Sequence, residues 1–514
     1  MARCSRAAVG PATVVHRRAG TGWPLTGTGT SGIWRLAGGP AERAAGDGPS
    51  PFEHAGPGVP GAWCVPSRPV GNFRSAPRAR TAGTAVPSRR DVGRRTVCAE
   101  GVDVGVADRG VAGASRVRGE QEATVDDQDR IRLTGAVREL APELARRAEE
   151  IEAARELPVD LLDRLRAAGC FRMFVPRSHG GYDADPHTGL TVLEALARAD
   201  GSTGWTVMIG AETPHLLAML SRDQFDKLYA HGPDVVVAGG FAPQGRAELA
   251  DGGFQVTGRW AFASGSRHAD WIFGNCVLTG DGQPLPGPAG QPVEVRSMLL
   301  PAGQVTVADT WHALGLRGTG SHDVRADWVY CPVERSFDLF AGVPCVPGPG
   351  FVAPLAQFVL HLGAVAVGIA QGALDDTVAL LDGDRRRLYA RQPLADSPAF
   401  RERLGRADLH VRATRALLRS LADDLFRAAH DGGPVALAGL QPRISASLPW
   451  VTEIATAAVD ACYRAAGGGA ARDSSPVQRR FRDIHTFSQH AAAAEGWLGN
   501  NGSQLLGRPV ELAY

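Results

Sequence analysis

GGFQVTGRWAFASG, residues 252–265, decides the fold. A short apolar run of β-branched and aromatic side chains sits between glycine breaks, the pattern of a β-strand rather than a helix. Three more stretches share that texture: ADWIFGNCVL (269–278), VEVRSMLLPAG (293–303) and HDVRADWVYCP (322–332). Together with PDVVVAGGF (233–241) they predict a β domain of antiparallel strands, a small barrel or sandwich, over residues 233–345.

On both sides the period changes. Upstream, RLTGAVRELAPELARRAEEIEAAREL (132–157) has helical spacing with i,i+4 charge pairs. PVDLLDRLRAAG (158–169) opens on Pro158 and stops at Gly169, and residues 188–221 read as two further helices. This gives an N-terminal helical domain over 123–232. Downstream, long amphipathic stretches at 351–381, 397–432 and 448–467 are separated by short breaks. They predict a C-terminal four-helix bundle over 346–514. The chain is therefore read as α+β, in the order helical, β, helical.

Residues 1–122 differ from the rest, being dense in Arg, Gly, Pro, Ala and Ser without a sustained period. Such a segment buries too little apolar surface to offset its ordering entropy, so disorder is expected. An extension upstream of a mature start near Val125 is one reading of it, and a basic arm gripping an acidic partner another.

The 514 residues are 44% hydrophobic and 21% charged, with a net charge of +1. Residues 1–120 hold 17 basic and 8 acidic side chains, leaving 38 and 46 for the remainder. The mildly acidic body gives no reason to expect nucleic acid as a partner. No apolar run approaches membrane-spanning length, no signal-type segment opens the chain, and a cytoplasmic location with no membrane is expected. The eight cysteines form no CxxC and no metal-ligand spacing with histidine, so free thiols and no metal are expected.

Several segments carry candidate chemistry. The β region contains AGGFAPQGRAEL (238–249), GRWAFASGSRHADW (258–271) and WHALGLRGTGSHDV (311–324). The bundle contains DRRRLYARQPLADSPAF (384–400), AAGGGAARDSSPVQRRFRD (465–483) and RRFRDIHTFSQHAAAA (479–494). The N-terminal helices contain GSTGWTVMIGAETPHL (201–216). In this order, over about residues 125–510, they resemble the acyl-CoA dehydrogenase superfamily.

That resemblance implies a flavin site. Ser264 matches the hydroxyl residue beside flavin N5, and Phe262 the aromatic that lines the ring. Gly239 and Gly240 match the segment along the pyrimidine edge. Arg387, with Arg386 close behind, matches an arginine that reaches a neighbouring subunit's flavin phosphates. Gly467 and Gly468 match a glycine turn against the adenine half of FAD, a contact without a partner if the cofactor is FMN. Shared sites of this kind imply a homotetramer.

One departure redirects the reaction. The superfamily's dehydrogenases remove an α-proton with a glutamate. The usual position, counted from Arg482 and Asp483, falls on Ala491, and the alternative, aligned through GIAQ, falls on Phe358. Glu495 stands a helical turn further on. Beside the first position is His490, which resembles the flavin-dependent monooxygenase branch. There a histidine with a pKa near neutrality would assist proton transfer, while His485 points to a different helix face. Trp205 and His215 resemble substrate-pocket residues of that branch. Implied with it are reduced FMN or FAD delivered by a separate NAD(P)H:flavin reductase, O2, and a small, aromatic or polyketide-like substrate. No GxGxxG follows a strand, which agrees with nicotinamide being handled elsewhere.

Plainer readings of the same residues stay open: Ser264 as a turn serine, Trp205 as a core aromatic, His215 on a surface loop, Arg387 as a solvated helix-end arginine, and His490 satisfied by a nearby carbonyl. So do two other functions, an acyl-CoA dehydrogenase with a displaced base and a non-catalytic flavin-fold binding subunit.

Overall fold

The computed structural model describes residues 125–510, apart from 289–290, 382–384 and 388. The expectation for residues 1–122 lies outside the described residues.

Among the described residues seven α-helices come first: α1 (Val125–Arg146), α2 (Ala148–Ala154), α3 (Val159–Ala168), α4 (Pro186–Ala199), α5 (Gly201–Ala211), α6 (Thr213–Leu217) and α7 (Arg222–Tyr229). Among the described residues eight strands follow: β1 (Val237–Ala250), β2 (Gly253–Ala263), β3 (Trp271–Gly280), β4 (Gln283–Pro284), β5 (Val295–Pro301), β6 (Thr306–Val307), β7 (His322–Pro332) and β8 (Ser336–Phe337). The chain then returns to helix with α8 (Pro354–Ala379), α9 (Pro398–Arg427), α10 (Gly433–Ala466), α11 (Pro476–Phe487) and α12 (Gly496–Leu505).

The strands form one sheet in the order β6-β7-β2-β1-β3-β5-β8, with β4 on β3. The expectation of purely antiparallel pairing needs correction, because β1 and β3 run parallel. β2 folds back antiparallel to β1 and so ends beside the start of β1. Residues 264–270 need only step over that start for β3 to run alongside β1 in the same direction. Asp270 fixes the step: its backbone N–H donates to the Val236 carbonyl, and its carboxylate accepts from the Val236 N–H, each at 2.9 Å. Ser264 stands at the head of this crossing.

Trp260 on β2 anchors the sheet core. It is fully buried, and its indole N–H donates to the Asn275 carbonyl at 2.8 Å. Its ring lies over Gly245, Gly258 and Gly274, where any β-carbon would come within 3 Å of it. Gly240 likewise leaves room for the Trp260 β-carbon.

α8 is the central helix of the bundle. It is apolar over most of its length, apart from Gln357, His361, Gln371 and the pair Asp375–Asp376 near its end, and 78% of its most apolar stretch is buried, as expected of a core helix. α11 is pinned to the N-terminal helices by buried charge. The Arg480 guanidinium takes the carbonyls of Ala197, Arg198 and Ala199 at 3.1, 2.7 and 2.9 Å, satisfying the C-terminal end of α4. Asp483 accepts from the Leu316 N–H at 2.6 Å, tying α11 to the β domain. These ties fix where His490, three residues past α11, can stand.

Candidate active site

α5 lays out the site. Asp200 starts it, accepting from the Thr203 N–H at 2.7 Å. One turn in, the buried Trp205 donates its indole N–H to Ser264 Oγ at 3.0 Å. The Trp205 ring stands edge-on to Phe487 and to His490, each with ring centroids 5.4 Å apart. Trp205, Ser264 and His490, read from three distant parts of the sequence, are thus brought together. His485 is not among them: it pairs with Asp460 at 3.0 Å.

The serine belongs to a directed chain of hydroxyls. Thr319 donates its one hydroxyl hydrogen to the Leu316 carbonyl at 2.8 Å. The 2.7 Å contact between Thr319 and Ser321 is then donated by Ser321, and the 2.6 Å contact between Ser321 and Ser264 by Ser264. Ser264 Oγ has spent its hydrogen and accepted one from Trp205. One lone pair is left, so toward a ligand this hydroxyl is an acceptor.

His490 is partly buried, and its Nδ1 accepts from the Ala492 N–H at 3.2 Å rather than facing a carbonyl. The neutral ring therefore carries its hydrogen on Nε2. The near-neutral pKa expected for it is corrected by its surroundings: desolvation pushes it down to about 4, so the ring is a neutral N–H donor at physiological pH.

Phe262 is 70% exposed and adopts φ +63°, a strained conformation for an aromatic residue. The pairing of β2 with β7 slips between Trp260 and Ala263, and this bulge turns Phe262 outward while Trp260 stays in the core. Trp311 meets it edge-on at 6.3 Å. Two buried hydroxyls close to Ser264 and Trp205 in sequence, Thr206 Oγ1 and Ser266 Oγ, have no partner among the described residues. An outward aromatic, an acceptor hydroxyl and two uncommitted hydroxyls fit the ring and polar edge of a flavin.

Gly239 and Gly240 have a nearer explanation than ligand approach: β-carbons there would meet the Phe273 carbonyl and Trp260. Arg387 donates to the Ala465 carbonyl at 2.9 Å and the Arg464 carbonyl at 3.3 Å, so within this chain its guanidinium caps α10. Gly467 follows α10 with φ +72°, a left-handed helix stop, and Gly468 faces open space.

Further along the same face of α5 a cavity opens, lined by Ile209, Glu212, Phe241, Phe273, Leu355 and Phe358 among others. Trp205 and Glu212 are seven residues apart, about 10 Å along the axis. His215 lines the cavity too and is buried, not on a surface loop. Phe358 lies 6.4 Å from the His490 ring, so the wall nearest that histidine is a phenyl group. Ala491 and Glu495 are both exposed.

Sequence reasoning missed Glu212 and His361. The Glu212 carboxylate accepts from His215 Nδ1 at 2.6 Å and from His361 Nδ1. Burial opposes its ionisation, but the His361 and His215 imidazoles overcome this and hold its pKa down at about 2. The lone histidine in the apolar run FVLHLGAVAVG (358–368) was the available signal, since a buried imidazole needs a partner.

This fold and site define a flavoprotein of the acyl-CoA dehydrogenase type. Residues 126–228 match the family model "Acyl-CoA dehydrogenase, N-terminal domain" and residues 360–495 match "Acyl-CoA dehydrogenase, C-terminal domain". The chain is 32% identical to the flavin-dependent monooxygenase oxygenase subunit HsaA of Rhodococcus jostii, over 69% of this chain and 92% of that one. It is 30% identical to the indole-3-acetate monooxygenase of Pseudomonas putida, over 66% and 84%. The crystal structure of 3-HSA hydroxylase from Rhodococcus sp. RHA1 superposes with TM-score 0.68 at 29% identity, covering 74% of this chain and 98% of that one. XiaF from Streptomyces, solved with FADH2 and glycerol, gives TM-score 0.68 at 27% identity, covering 75% and 97%. This chain belongs to the oxygenase subunits of the two-component flavin-dependent monooxygenases. It is an oxidoreductase that works with reduced flavin and O2, and a separate flavin reductase is its partner.

Proposed function

We propose that the chain hydroxylates a small aromatic substrate seated against Phe241, Phe273 and Phe358, with the flavin ring at the Trp205–Ser264–His490 end of that cavity. One observation carries this reading. At the position to which the resemblance assigns the dehydrogenases' alternative base, the cavity lining carries the phenyl ring of Phe358. Among the described residues lining the cavity the one carboxylate, Glu212, already accepts hydrogen bonds from two imidazoles. A carboxylate so committed is a poor base for a carbon acid. Relatives named for indole-3-acetate and for resorcinol support an aromatic substrate.

When bound, reduced FMN or FAD supplies the electrons that activate dioxygen. The chain's own groups do the rest. Ser264 Oγ, an acceptor by virtue of the hydroxyl chain behind it, would accept the N–H that a reduced flavin carries at N5. His490 offers its Nε2 hydrogen near the same place without bringing a charge. Trp205 and the three phenylalanines would keep water away from the bound flavin and substrate, and Phe262 would pack on the flavin ring. His215 meets the substrate at the far end.

The assembly is a homotetramer located in the cytoplasm. Support for a partner subunit near the cofactor is the open space at Gly468 and the 95% exposed Tyr389 with φ +65° beside Arg387. Both carbonyl bonds of Arg387 come from one terminal nitrogen, so capping α10 does not by itself keep the guanidinium from a neighbour's flavin.

The test is a panel of small phenols and indoles incubated with the protein, a flavin reductase, NADH and labelled dioxygen. A product heavier by one labelled oxygen atom supports the reading. Reduced-flavin oxidation that yields only peroxide across an aromatic panel contradicts it.

A further inference from the structure

Side chains of α11 hold a loop of the β domain at three consecutive residues. Arg482 Nη1 donates to the Leu314 carbonyl at 3.0 Å, Thr486 Oγ1 accepts from the Gly315 N–H at 2.8 Å, and Asp483 Oδ1 accepts from the Leu316 N–H at 2.6 Å. The loop lies against the helix backbone itself, since a β-carbon on Gly315 would collide with the Arg482 carbonyl. Leu316 is buried and sits at φ +48°, a left-handed conformation that a non-glycine residue keeps only when its surroundings hold it. The Asp483 carboxylate on its N–H is such a restraint. The Leu316 carbonyl accepts the Trp311 indole N–H at 3.0 Å, the Thr319 hydroxyl at 2.8 Å and the Thr319 N–H at 3.2 Å. Trp311 is the ring that meets Phe262 edge-on, and Thr319 begins the hydroxyl chain that ends at Ser264. Turning Leu316 out of its left-handed conformation would swing this one carbonyl away from both side chains.

We propose that Asp483 is a positioning residue of the flavin site: by holding Leu316 it keeps Ser264 an acceptor and keeps Trp311 behind Phe262. This rests on the reading that the flavin ring meets Phe262 and Ser264. Asp483 acts at one remove, through a backbone carbonyl that two side chains share. With that carbonyl displaced, the Thr319 hydroxyl loses its acceptor and is free to donate to Ser321 instead. The chain then loses its direction, and Ser264 regains a hydrogen to offer. Trp311 loses the acceptor that fixes its ring, and the exposed Phe262 loses its support. α11 also leads to His490, three residues past its end, so one helix sets all three groups assigned to the flavin. The role needs an oxygen acceptor of the right reach and no charge, which asparagine supplies and alanine does not.

The test reads the flavin-free protein and the flavin separately. The full chain is labelled with 5-fluorotryptophan, and the Trp311 and Trp260 resonances are assigned by Trp311→Phe and Trp260→Phe. Without flavin, Asp483→Ala should move the Trp311 fluorine resonance and leave that of the buried Trp260 in place. In anaerobic fluorescence titration the ratio of oxidised- to reduced-flavin dissociation constants should fall by roughly fivefold, the worth of one charge-free hydrogen bond. Asp483→Asn should keep both readouts native. Asp483→Leu fills the same space without an acceptor and should behave like the alanine variant, and it serves should that variant fail to fold. A native ratio or an unmoved Trp311 resonance in the alanine and leucine variants overturns the proposal, as does an asparagine variant that behaves like alanine. Phe262→Ala, made with Asp483 intact, separates the two failures. If reduced flavin then binds as tightly as before, the flavin placement is wrong and the proposal falls with it. If it binds more weakly while the Asp483 variants stay native, the proposal alone is lost.

Discussion

Trp205 Nε1 donates to Ser264 Oγ at 3.0 Å, joining the helix that lays out the cavity to the crossing between β2 and β3. Behind that serine, Ser321 and Thr319 pass the hydrogen-bond direction on to the Leu316 carbonyl.

The direction of the chain has a measurable consequence. Reduced flavin offers an N–H at N5, whereas oxidised flavin offers a lone pair there. Ser321→Ala frees the Ser264 hydrogen and removes the preference for the reduced form. One charge-free hydrogen bond is worth about 1 kcal/mol, roughly fivefold in affinity. The ratio of oxidised- to reduced-flavin dissociation constants should therefore fall by about that factor, as read by anaerobic fluorescence titration. An unchanged ratio means Ser264 is not held as an acceptor.

His490 should stay uncharged across the neutral range. Its folded pKa of about 4 lies below the ordinary imidazole value. Its stabilising contribution is then present above the unfolded value, about 6.5, and is lost as pH falls through about 4. Carbon-labelled histidine NMR should give one resonance, assigned by His490→Gln, that does not titrate between pH 6 and pH 8, a window set by that ordinary value. A midpoint inside this window refutes the assignment of a neutral donor.

Asp483 runs the other way. Burial and the neighbouring Asp200 push its carboxyl up to about 6. Between about pH 4 and pH 6 the folded chain holds a proton that the unfolded chain has released, so its stabilising effect is lost as pH rises through that window. Asp483→Asn keeps an acceptor for the Leu316 N–H and should flatten this part of the profile in urea unfolding. An identical slope in the variant would place the titration elsewhere.

Trp260→Ala should destabilise the fold by about 3–5 kcal/mol, because the glycines beneath the ring cannot close the gap. A loss below about 1 kcal/mol in denaturant unfolding would mean that the sheet collapses into the space.

The helical–β–helical order was legible because hydrophobic period is a local property. The parallel β1–β3 pair was not, because it depends on where residues 264–270 cross, and no residue in that crossing announces its direction. Ser264, Trp205 and His490 were found through segments that resemble a family, and they do converge. Their hydrogen-bond directions and the depressed pKa of His490 follow from neighbours far away in sequence, such as Ser321. Glu212 and His361 are 149 residues apart. Only folding brings the histidine of an apolar helix to the carboxylate at a helix junction. Arg387 has the right charge for a phosphate, but the end of α10 is closer at hand.

The account turns on oxygen rather than a thioester being the flavin's reaction partner. The most direct measurement is an anaerobic titration of the protein loaded with oxidised flavin against a panel of acyl-CoA thioesters, followed in the flavin absorbance band. The account predicts no bleaching by any thioester, while the same protein supplied with reduced flavin and then oxygen converts an aromatic substrate. Bleaching by an acyl-CoA in the absence of a reductase would contradict it.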